Sequence, residues 1–558
     1  MKTWNLLKSI FRRLDDYQRI RPDDYSYELH SGNEDEDYGL PSPAHRRRKS
    51  VLHKRRFSST IFSVVSLVQH TLTLRRLVFI LTATFFLLVM GILSSGIPST
   101  YQDVRAYERL LPQHRIREAV SEKIGRDGVT ERIHRRKYLW FDGALWGHGL
   151  NNVLQESFVM AYIAQLSHRS YVFEDHVWSK SPLPYTLYDF ALRPSRIPMN
   201  AFISGPSAGG PFPEGGITRR AVSLEFFNTV CRPEERIVLN TKDAPIDASL
   251  GKGADEIVKW FLDEIKKVED EPCVVIDSAG RTLFDRELFG TKRILPILSS
   301  LLESPILANF AWSPLVLSAV ARNFAILQPD NLNDLYPSSP SYSHSNAGVL
   351  SGLVAVHLRR GDYSRHCYRL VGWDDEYMGV NQYEKLPDRF DADAYLREHN
   401  FHSSPVISSS PLMSTALSSR NSSTTPLSTI PHRTSEEHNI LTPYYISHCL
   451  PEIPEIVARL HQVRLDNPGL KRVYLLSNGW GWWLNSLRES LKKDGWEDIM
   501  HGGELEMDQA QKHVAMAVDM AIAEKAEVFV GNGFSSLSGN IVTLRLSKGF
   551  KPESNRFL

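Results

Sequence analysis

Short apolar runs that stop abruptly at polar residues recur along the second half of the chain. The clearest is Leu353–Val356, which leads into a segment, His357–Asp362, that holds two arginines and a glycine. Buried parallel strands have this pattern, because both faces are covered and the carboxyl end meets the ligand-binding edge of the sheet. We therefore predict a buried strand whose polar end belongs to a binding site. The same pattern recurs at 472–479 and 528–536.

Segments with helical spacing of apolar residues alternate with these strands. The alternation predicts an α/β fold with two doubly wound, Rossmann-like domains that face a cleft. A Ser- and Pro-rich stretch at 337–346 favours a boundary between a first domain at 138–345 and a second at 346–558. The folded body is expected to start at 138–141. The predicted strands are 170–173, 273–277, 353–356, 472–476 and 528–530, and the predicted helices include 255–269, 454–465 and 513–525.

The amino-terminal part has a different pattern. Residues 1–76 are polar, with an acidic cluster followed by basic ones, and predict a disordered cytosolic tail. Residues 77–97 are apolar or small and uncharged, and predict a single transmembrane helix that contacts the lipid bilayer. Because Arg75 and Arg76 precede this run, we expect the carboxyl part to lie in the lumen of the Golgi or the endoplasmic reticulum. A charged lumenal stem at 98–137 would follow.

The four cysteines all follow the apolar run. Their spacings match no metal site of the CxxC type, so two disulfides in an oxidising compartment are expected. Pairing Cys231 with Cys273 and Cys367 with Cys449 would keep each bridge local, but three connectivities are possible.

Composition also limits the partners of the chain. The total of 65 Lys and Arg nearly equals the 64 Asp and Glu, so no global charge points to nucleic acid. The stretch 402–434 is dense in Ser and Thr and predicts a disordered insertion in the second domain. Asn421 begins a glycosylation sequon there, which is consistent with a lumenal surface loop.

Two motifs of the second domain indicate an anionic ligand. Arg359 and Arg360 lie together at a strand end, and guanidinium groups there are unfavourable unless an anion pairs with them. Ser535 and Ser536 open the last predicted helix, where hydroxyls and unpaired backbone N–H groups suit a diphosphate. On these residues alone, the alternatives are a structural ion pair for the arginines and ordinary helix capping for the serines.

In combination, these motifs resemble those of the GDP-fucose protein O-fucosyltransferase superfamily. The family's strand motif, His-x-Arg-Arg-x-Asp-aromatic, is matched by His357–Tyr363. Its last motif, which starts at a helical Asp and ends in Ser-Ser, is matched from Asp519 to Ser536, with Glu527 in place of the usual Asp. Gly147–Asn151 is similar to the family's Gly-x-Gly-Phe-Asn element.

The resemblance implies a GT-B-like enzyme that needs no metal or other cofactor and takes fucose from GDP-fucose to a hydroxyl of a protein or glycan acceptor. Arg359 would hold the diphosphate and assist the departure of GDP. His357 and Asp519 would contact the ribose or the guanine. The remaining residues implied in donor binding are Gly149, Asn151, Arg360, Asp362, Ser535, Ser536 and Leu537.

The general base is the least defined part of the implied site. His148 stands where several protein O-fucosyltransferases carry a glutamate that deprotonates the acceptor. An imidazole accepts a proton near neutral pH, so His148 is the candidate base. A histidine that merely packs or caps the following helix is the alternative.

Two other functions fit parts of the sequence. A catalytically silent lumenal protein would keep the fold for nucleotide-sugar binding or scaffolding. A metal-dependent transferase would use the carboxylates of Asp391 and Asp393, but these follow a polar segment rather than an apolar strand, so surface carboxylates are favoured. The same holds for Asp374-Asp375-Glu376.

Overall fold

The computed structural model describes residues 74–95 and most of 99–558. Most of the predicted tail, most of the predicted insertion with Asn421, and the predicted linker at 337–346 lie outside the described residues. The residues not described are 1–73, 96–98, 125–129, 144–148, 180–183, 189–190, 213–218, 245–252, 278–283, 285, 329–347, 362 and 400–432.

A single helix, α1 (Leu74–Ser95), covers most of the segment predicted to cross a membrane. Its described side chains are largely exposed, with Phe79 at 74% and Leu87 at 73%. Among the residues that the structure describes, no helix combines the length and the apolar composition needed to span a bilayer. The transmembrane helix therefore stays a prediction.

The segment predicted as a stem belongs to the folded body, which forms one compact unit from Ile97 onward. Tyr101 is 1% exposed, and its hydroxyl donates to the carbonyl of Ala510 at 3.0 Å. A separate stem at 98–137 is therefore corrected to a packed part of the body. Its elements are α2 (Ser99–Arg109), α3 (Ile116–Ala119) and an antiparallel hairpin of β1 (Val120–Ile124) and β2 (Thr130–His134).

The first half contains a five-stranded parallel sheet. Its strands are β3 (Tyr138–Asp142), β4 (Ser170–Phe173), β9 (Val222–Ser223), β10 (Ile237–Asn240) and β11 (Cys273–Asp277), in the order β10-β11-β3-β4-β9. Helix α4 (Leu150–Leu166) crosses from β3 to β4 and is buried along most of its length, which explains why it lacks a polar face. Two small antiparallel pairs join β5 (His176–Val177) to β8 (Arg196–Ile197) and β6 (Tyr185–Tyr188) to β7 (Ala191–Pro194). The other helices are α5 (Leu224–Val230), α6 (Ala254–Lys267), α7 (Arg286–Gly290), α8 (Leu298–Glu303), α9 (Pro305–Ala308), α10 (Pro314–Arg322) and α11 (Phe324–Leu327).

The second half is built on another five-stranded parallel sheet. Its strands are β12 (Leu350–Leu358), β13 (Arg472–Ser477), β14 (Asp498–His501), β15 (Ala526–Gly531) and β16 (Asn555–Phe557), in the order β14-β13-β12-β15-β16. Val356 lies opposite Leu475 on one side and Val530 on the other, so the carboxyl ends of these three strands are level. The helices are α12 (Tyr363–Trp373), α13 (Ala392–Glu398), α14 (Ser435–Cys449), α15 (Ile453–Asp466), α16 (Gly481–Lys493), α17 (Gln509–His513), α18 (Ala515–Lys525) and α19 (Ser536–Ser547).

The two halves share one buried core. A single cluster of buried apolar residues includes members of α4 in the first half and of α18 and α19 in the second. Polar contacts also connect them: the Asn540 side chain donates to the Asn151 carbonyl at 2.8 Å, and the Trp312 indole donates to Glu524 at 2.5 Å. The α/β fold with two parallel sheets is as predicted, but the halves pack directly on each other.

The expectation of two disulfides is confirmed, and of the three connectivities the structure has the local one. Cys231 is bonded to Cys273 at the start of β11, and Cys367 in α12 is bonded to Cys449 at the end of α14. The second bridge fixes the helix that follows the arginine motif.

Candidate active site at the carboxyl edge of the second sheet

The loops that follow β12, β13 and β15 meet at one edge of the second sheet. The Ser477 hydroxyl donates to the carbonyl of Leu358 at 2.7 Å, and the backbone N–H of Arg360 donates to the side-chain oxygen of Asn478 at 2.8 Å. Gly361 has a φ of +61°, which the tight turn of the arginine loop requires. The polar ends of the strands are therefore brought together, as their pattern predicted.

The arginine motif and the serine motif touch through His357. This buried imidazole lies 2.9 Å, measured at Nδ1, from the hydroxyl of Ser538 in the first turn of α19. Burial, reinforced by the positive charge of Arg359, lowers the pKa of His357 to about 3. The imidazole is therefore neutral at physiological pH, and the positive charge of this pair resides on Arg359.

Arg359 is half-buried and lies over an aromatic ring. Its guanidinium carbon is 4.4 Å from the centroid of the Tyr363 ring, and the Tyr363 hydroxyl donates to the carbonyl of Phe534 at 2.9 Å. Phe534 immediately precedes the two serines. The residue that orients the arginine is thus itself fixed to the turn that opens α19.

Arg360 has different surroundings. Its guanidinium donates to the carbonyl of Pro451 at 2.8 Å, pairs with Glu452 at 3.6 Å and lies 4.3 Å from the centroid of the Trp483 ring. These contacts are all with the protein itself. A donor contact by Arg360 stays a prediction, and the geometry gives this residue a structural role.

The amino end of α19 is suited to an anion. Ser535 is at the N-cap but its hydroxyl caps nothing, and this buried oxygen has no hydrogen-bond partner among the described residues. The first backbone bond runs from the N–H of Gly539 to the carbonyl of Ser535, so the preceding N–H groups of the first turn have no partner within the helix. Ser536 and Leu537, half-buried in that turn, carry two of these N–H groups. An anion placed there would be bound by backbone N–H groups and by the Ser535 hydroxyl.

The turn before this helix is fixed on both sides. The Asn532 side chain donates to the carbonyl of Cys449 at 2.7 Å and accepts from the N–H of Phe534 at 3.1 Å. A Cβ atom on Gly533 would lie 2.4 Å from the buried ring of Tyr377, so only glycine fits there. The position of the serines is therefore set before any ligand binds.

Glu527, which departs from the family motif, has a structural contact. Its carboxylate accepts the backbone N–H of Gly352 at 2.6 Å. Gly352 has a φ of +72° where β12 shifts register against β15, and the longer glutamate side chain reaches this irregular turn.

Asp519 lies on α18 beside β13 and the end of β14. It accepts a hydrogen bond from the Tyr474 hydroxyl at 2.5 Å, and a Cβ atom on Gly502 would lie 2.5 Å from one of its oxygens. Desolvation raises the pKa of this carboxyl from 3.8 to about 7. The predicted contact of Asp519 with ribose or guanine is not tested by this geometry.

The first-half residues are placed only in part. Gly149 is exposed at the start of α4. Asn151 is buried against the second half, where its carbonyl accepts from Asn540 and its amide contacts the Met516 sulfur at 3.2 Å. His148 and Asp362 lie outside the described residues, so their predicted roles stay predictions.

The carboxylates considered for a metal-dependent transferase have protein partners. Asp391 accepts the N–H of Ala394 at 2.8 Å and caps α13, while Asp393 and Asp374 pair with Arg433 at 3.0 and 2.5 Å. Arg433, assigned from the sequence to the insertion, therefore belongs to the folded body. Among the described residues, ligand atoms close enough for a metal are grouped at His134, Cys231 and Cys273, but these two cysteines form a disulfide.

Sequence reasoning missed Ser538 and the surroundings of Asn532. Ser538 lies three residues after Ser535 on the same helix, a spacing that places both on one face and could have identified it. The bond from Asn532 to Cys449 spans 83 residues and leaves no local signal.

Residues 329–547 match the family model described as GDP-fucose protein O-fucosyltransferase. The match covers both the arginine strand and the serine turn, so the resemblance found in the motifs is confirmed. This range is a fucosyltransferase-like glycosyltransferase domain.

Solved structures that are similar to the chain over most of its length include POFUT1 and a plant FUT1. POFUT1 in complex with GDP-fucose is 14% identical, with 76% of this chain and 98% of that chain covered and a TM-score of 0.39. POFUT1 in complex with GDP is 16% identical, with the same coverage and a TM-score of 0.40. A mutant of Arabidopsis thaliana FUT1 in complex with GDP is 11% identical, with 81% and 78% covered and a TM-score of 0.28. No curated protein sequence matches the chain.

Proposed function

We propose that this protein is an inverting, metal-independent glycosyltransferase that moves fucose from GDP-fucose to a hydroxyl of a protein or glycan. The observation that carries the proposal is the 2.9 Å contact between His357 and Ser538, which joins the Arg359 loop to the open end of α19. The family match at residues 329–547 supports fucose as the sugar.

In the proposed reaction, the acceptor oxygen forms a bond to C1 of fucose while the bond from C1 to the diphosphate oxygen breaks. GDP leaves with an additional negative charge. Arg359, the Ser535 hydroxyl and the first N–H groups of α19 would stabilise that charge, which is the task usually given to a cation in metal-dependent transferases. The proton of the acceptor hydroxyl passes to a base, for which His148 is the candidate.

The proposal includes a type II arrangement in the Golgi or endoplasmic reticulum membrane. Residues 77–97 would hold the protein in the bilayer, with Arg75 and Arg76 on the cytosolic side. Two disulfides in the carboxyl part are consistent with an oxidising lumen. The exposed apolar side chains of α1 are suited to lipid contact.

A second candidate is a lumenal protein that binds the nucleotide sugar without turnover. The observation that favours it is His148 at the position of the family's glutamate base. Binding of GDP-fucose requires only the charge and N–H groups described above, whereas transfer also requires a proton acceptor.

The proposal is tested with the full-length protein in detergent and a panel of GDP- and UDP-sugars. We expect slow release of GDP from GDP-fucose in the presence of EDTA, faster release when protein and glycan acceptors are added, and no turnover of UDP-sugars. Loss of turnover in EDTA, restored by Mn²⁺, would contradict metal independence. Tight binding of GDP-fucose with neither hydrolysis nor transfer would favour the silent protein.

A further inference from the structure

Two large aromatic side chains are exposed beside the candidate active site. Trp480 is 68% exposed and Trp482 is 70% exposed, while the adjacent Trp483 is buried. Tryptophan side chains usually bury most of their surface, so two exposed ones within three residues are a feature to explain.

The position of these rings follows from the loop that carries them. The loop joins β13 to α16, and its Asn478 accepts the backbone N–H of Arg360 at 2.8 Å. Trp480 is two residues further on, so its Cα lies within about 8 Å of that of Asn478. At the other end of the loop, the Trp483 ring packs under the Arg360 guanidinium at 4.3 Å. The backbone that carries both exposed tryptophans therefore lies next to the arginine loop.

The backbone of this loop is fixed. The N–H of Gly479 donates to the Ser477 hydroxyl at 3.0 Å, and a Cβ atom on Gly479 would lie 3.0 Å from the Trp483 ring. The Trp480 carbonyl accepts the N–H groups of Trp483 and Leu484 at 2.9 and 3.0 Å and so begins α16. Its side chain does not cap that helix, although this N-cap position favours Ser, Thr, Asp or Asn. The Trp480 side chain therefore makes no capping contribution to the stability of α16.

We propose that Trp480 and Trp482 form an acceptor subsite that stacks on the apolar face of a pyranose ring, so that the acceptor is a glycan. This inference rests on the proposed function and narrows its acceptor class. A pyranose presents C–H groups on one face and hydroxyls around its rim. The exposed indole faces fit the C–H face of the sugar and leave the hydroxyls of its rim in water.

Other occupants fit the loop less well. A surface that lies in a bilayer carries Lys and Arg around its aromatic residues, whereas residues 477–482 contain glycine, serine, asparagine and tryptophan. A stable protein partner needs roughly 800 Å² of surface per side, which two side chains do not supply. A single sugar ring can be bound by a much smaller surface.

The experiment uses full-length protein with Trp480→Ala, Trp482→Ala or both. Trp373→Ala is the matched control, because Trp373 is 46% exposed at the far end of α12. Binding is measured on an array of defined galactose, N-acetylglucosamine and mannose oligosaccharides, and GDP binding is measured by calorimetry. We expect wild type and Trp373→Ala to bind at least one oligosaccharide, and each single alanine variant to bind it about tenfold more weakly, with an unchanged Kd for GDP. The conservative variants Trp480→Phe and Trp482→Phe should keep most of the binding.

Three results would overturn the inference. The first is wild-type protein that binds GDP but none of the oligosaccharides. The second is a tenfold weaker Kd for GDP in the alanine variants, because the rings would then belong to the donor base. The third is loss of binding to phosphatidylcholine vesicles in those variants without any loss of oligosaccharide binding. In each case the binding of GDP-fucose by wild type remains a separate measurement, and its failure would instead contradict the proposed function.

Discussion

At the scale of single residues, the two adjacent arginines of the strand motif have separate roles. Arg359 lies over Tyr363, a member of the core shared by both halves, whereas Arg360 lies over Trp483, a member of the core on the other face of the second sheet. Successive residues of a strand point to opposite faces, and this alternation continues into the loop. Because the two arginines are adjacent in sequence, the motif predicts that both bind the same anionic ligand. Their surroundings in the structure indicate a ligand contact for Arg359 and a structural role for Arg360.

The first prediction concerns this pair. Arg359→Ala should reduce the rate of GDP release by about 10²–10³-fold, since it removes charge stabilisation from the leaving diphosphate. Its thermal unfolding midpoint should stay close to that of wild type. Arg360→Ala is the matched variant: loss of its contacts with Pro451, Glu452 and Trp483 should lower the unfolding midpoint more than it lowers donor affinity. A loss of stability in Arg359→Ala together with a loss of GDP release in Arg360→Ala would show that Arg360, not Arg359, stabilises the leaving diphosphate.

The second prediction concerns the pH dependence of stability through Asp519. Folding raises the pKa of this carboxyl from 3.8 to about 7, so the native state retains its proton where the unfolded chain has lost it. Stability contributed by this group therefore falls as pH rises across that window. Asp519→Asn should stabilise the ligand-free protein relative to wild type, and by more at pH 8 than at pH 5.

Thermal unfolding of ligand-free protein at both pH values checks this. The control is Asp391→Asn, which makes the same chemical change at the N-cap of α13 and shows how much the unfolding midpoint changes without a buried carboxyl. A difference between Asp519→Asn and wild type that is constant with pH would show that the carboxyl is not desolvated.

At the scale of secondary structure elements, strands were more predictable than their connections. The apolar run with a polar end located β12, and Cys273–Asp277 and Ser170–Phe173 match β11 and β4. Such strands can be recognised in the sequence because a parallel strand that is buried on both faces is a continuous apolar run. The turn before α19 was harder, since its shape depends on Tyr377 and Cys449, which are distant in sequence.

The third prediction concerns that turn. Gly533→Ala would place a methyl group 2.4 Å from the Tyr377 ring, which is held by Phe390, Phe534 and Phe557 and has no room to move. The turn should shift, and calorimetry should show at least tenfold weaker GDP binding together with a lower unfolding midpoint. An unchanged Kd for GDP would remove this turn from the donor site.

Gly372→Ala provides the matched control for this substitution. A Cβ atom there would meet nothing within 4 Å, and the position lies within α12. Replacing a helical glycine with alanine is expected to stabilise by up to about 1 kcal/mol.

At the scale of the whole molecule, the main difference from the sequence prediction is the segment 98–137. Its low content of apolar residues predicts a solvated stem. Its buried positions include Glu108, Gln113 and Arg136, which sequence patterns assign to the surface. Gln113 donates to the carbonyls of Gly209 and Ala221 at 3.0 and 2.8 Å, and Glu108 accepts the N–H of Asn200 at 3.3 Å. Arg136 in turn donates to the carbonyl of Gln113 at 2.7 Å. Polar burial of this kind is satisfied only by tertiary structure.

The fourth prediction follows from this packing. A chain that begins at residue 97 should unfold at the same temperature as full-length protein, because it keeps α2. A chain that begins at residue 111 loses buried Tyr101 and the ion pair of Arg105 with Asp175, and should be destabilised by about 3 kcal/mol or more. Equal unfolding midpoints for the two truncated chains would show that α2 contributes nothing to the body.

Helix α19 has a consequence beyond its amino end. Its first turn offers N–H groups to the proposed diphosphate, and its fifth residue, Asn540, holds Asn151 of the first half. One rigid element therefore takes part in both ligand binding and the joining of the two halves. If the two events are coupled through this helix, they are coupled reciprocally. A change that favours the contact between the halves then raises the affinity for the nucleotide, and bound nucleotide favours that contact by the same factor. Asn540, which lies one turn beyond the N–H groups offered to the diphosphate, thereby becomes a determinant of donor affinity.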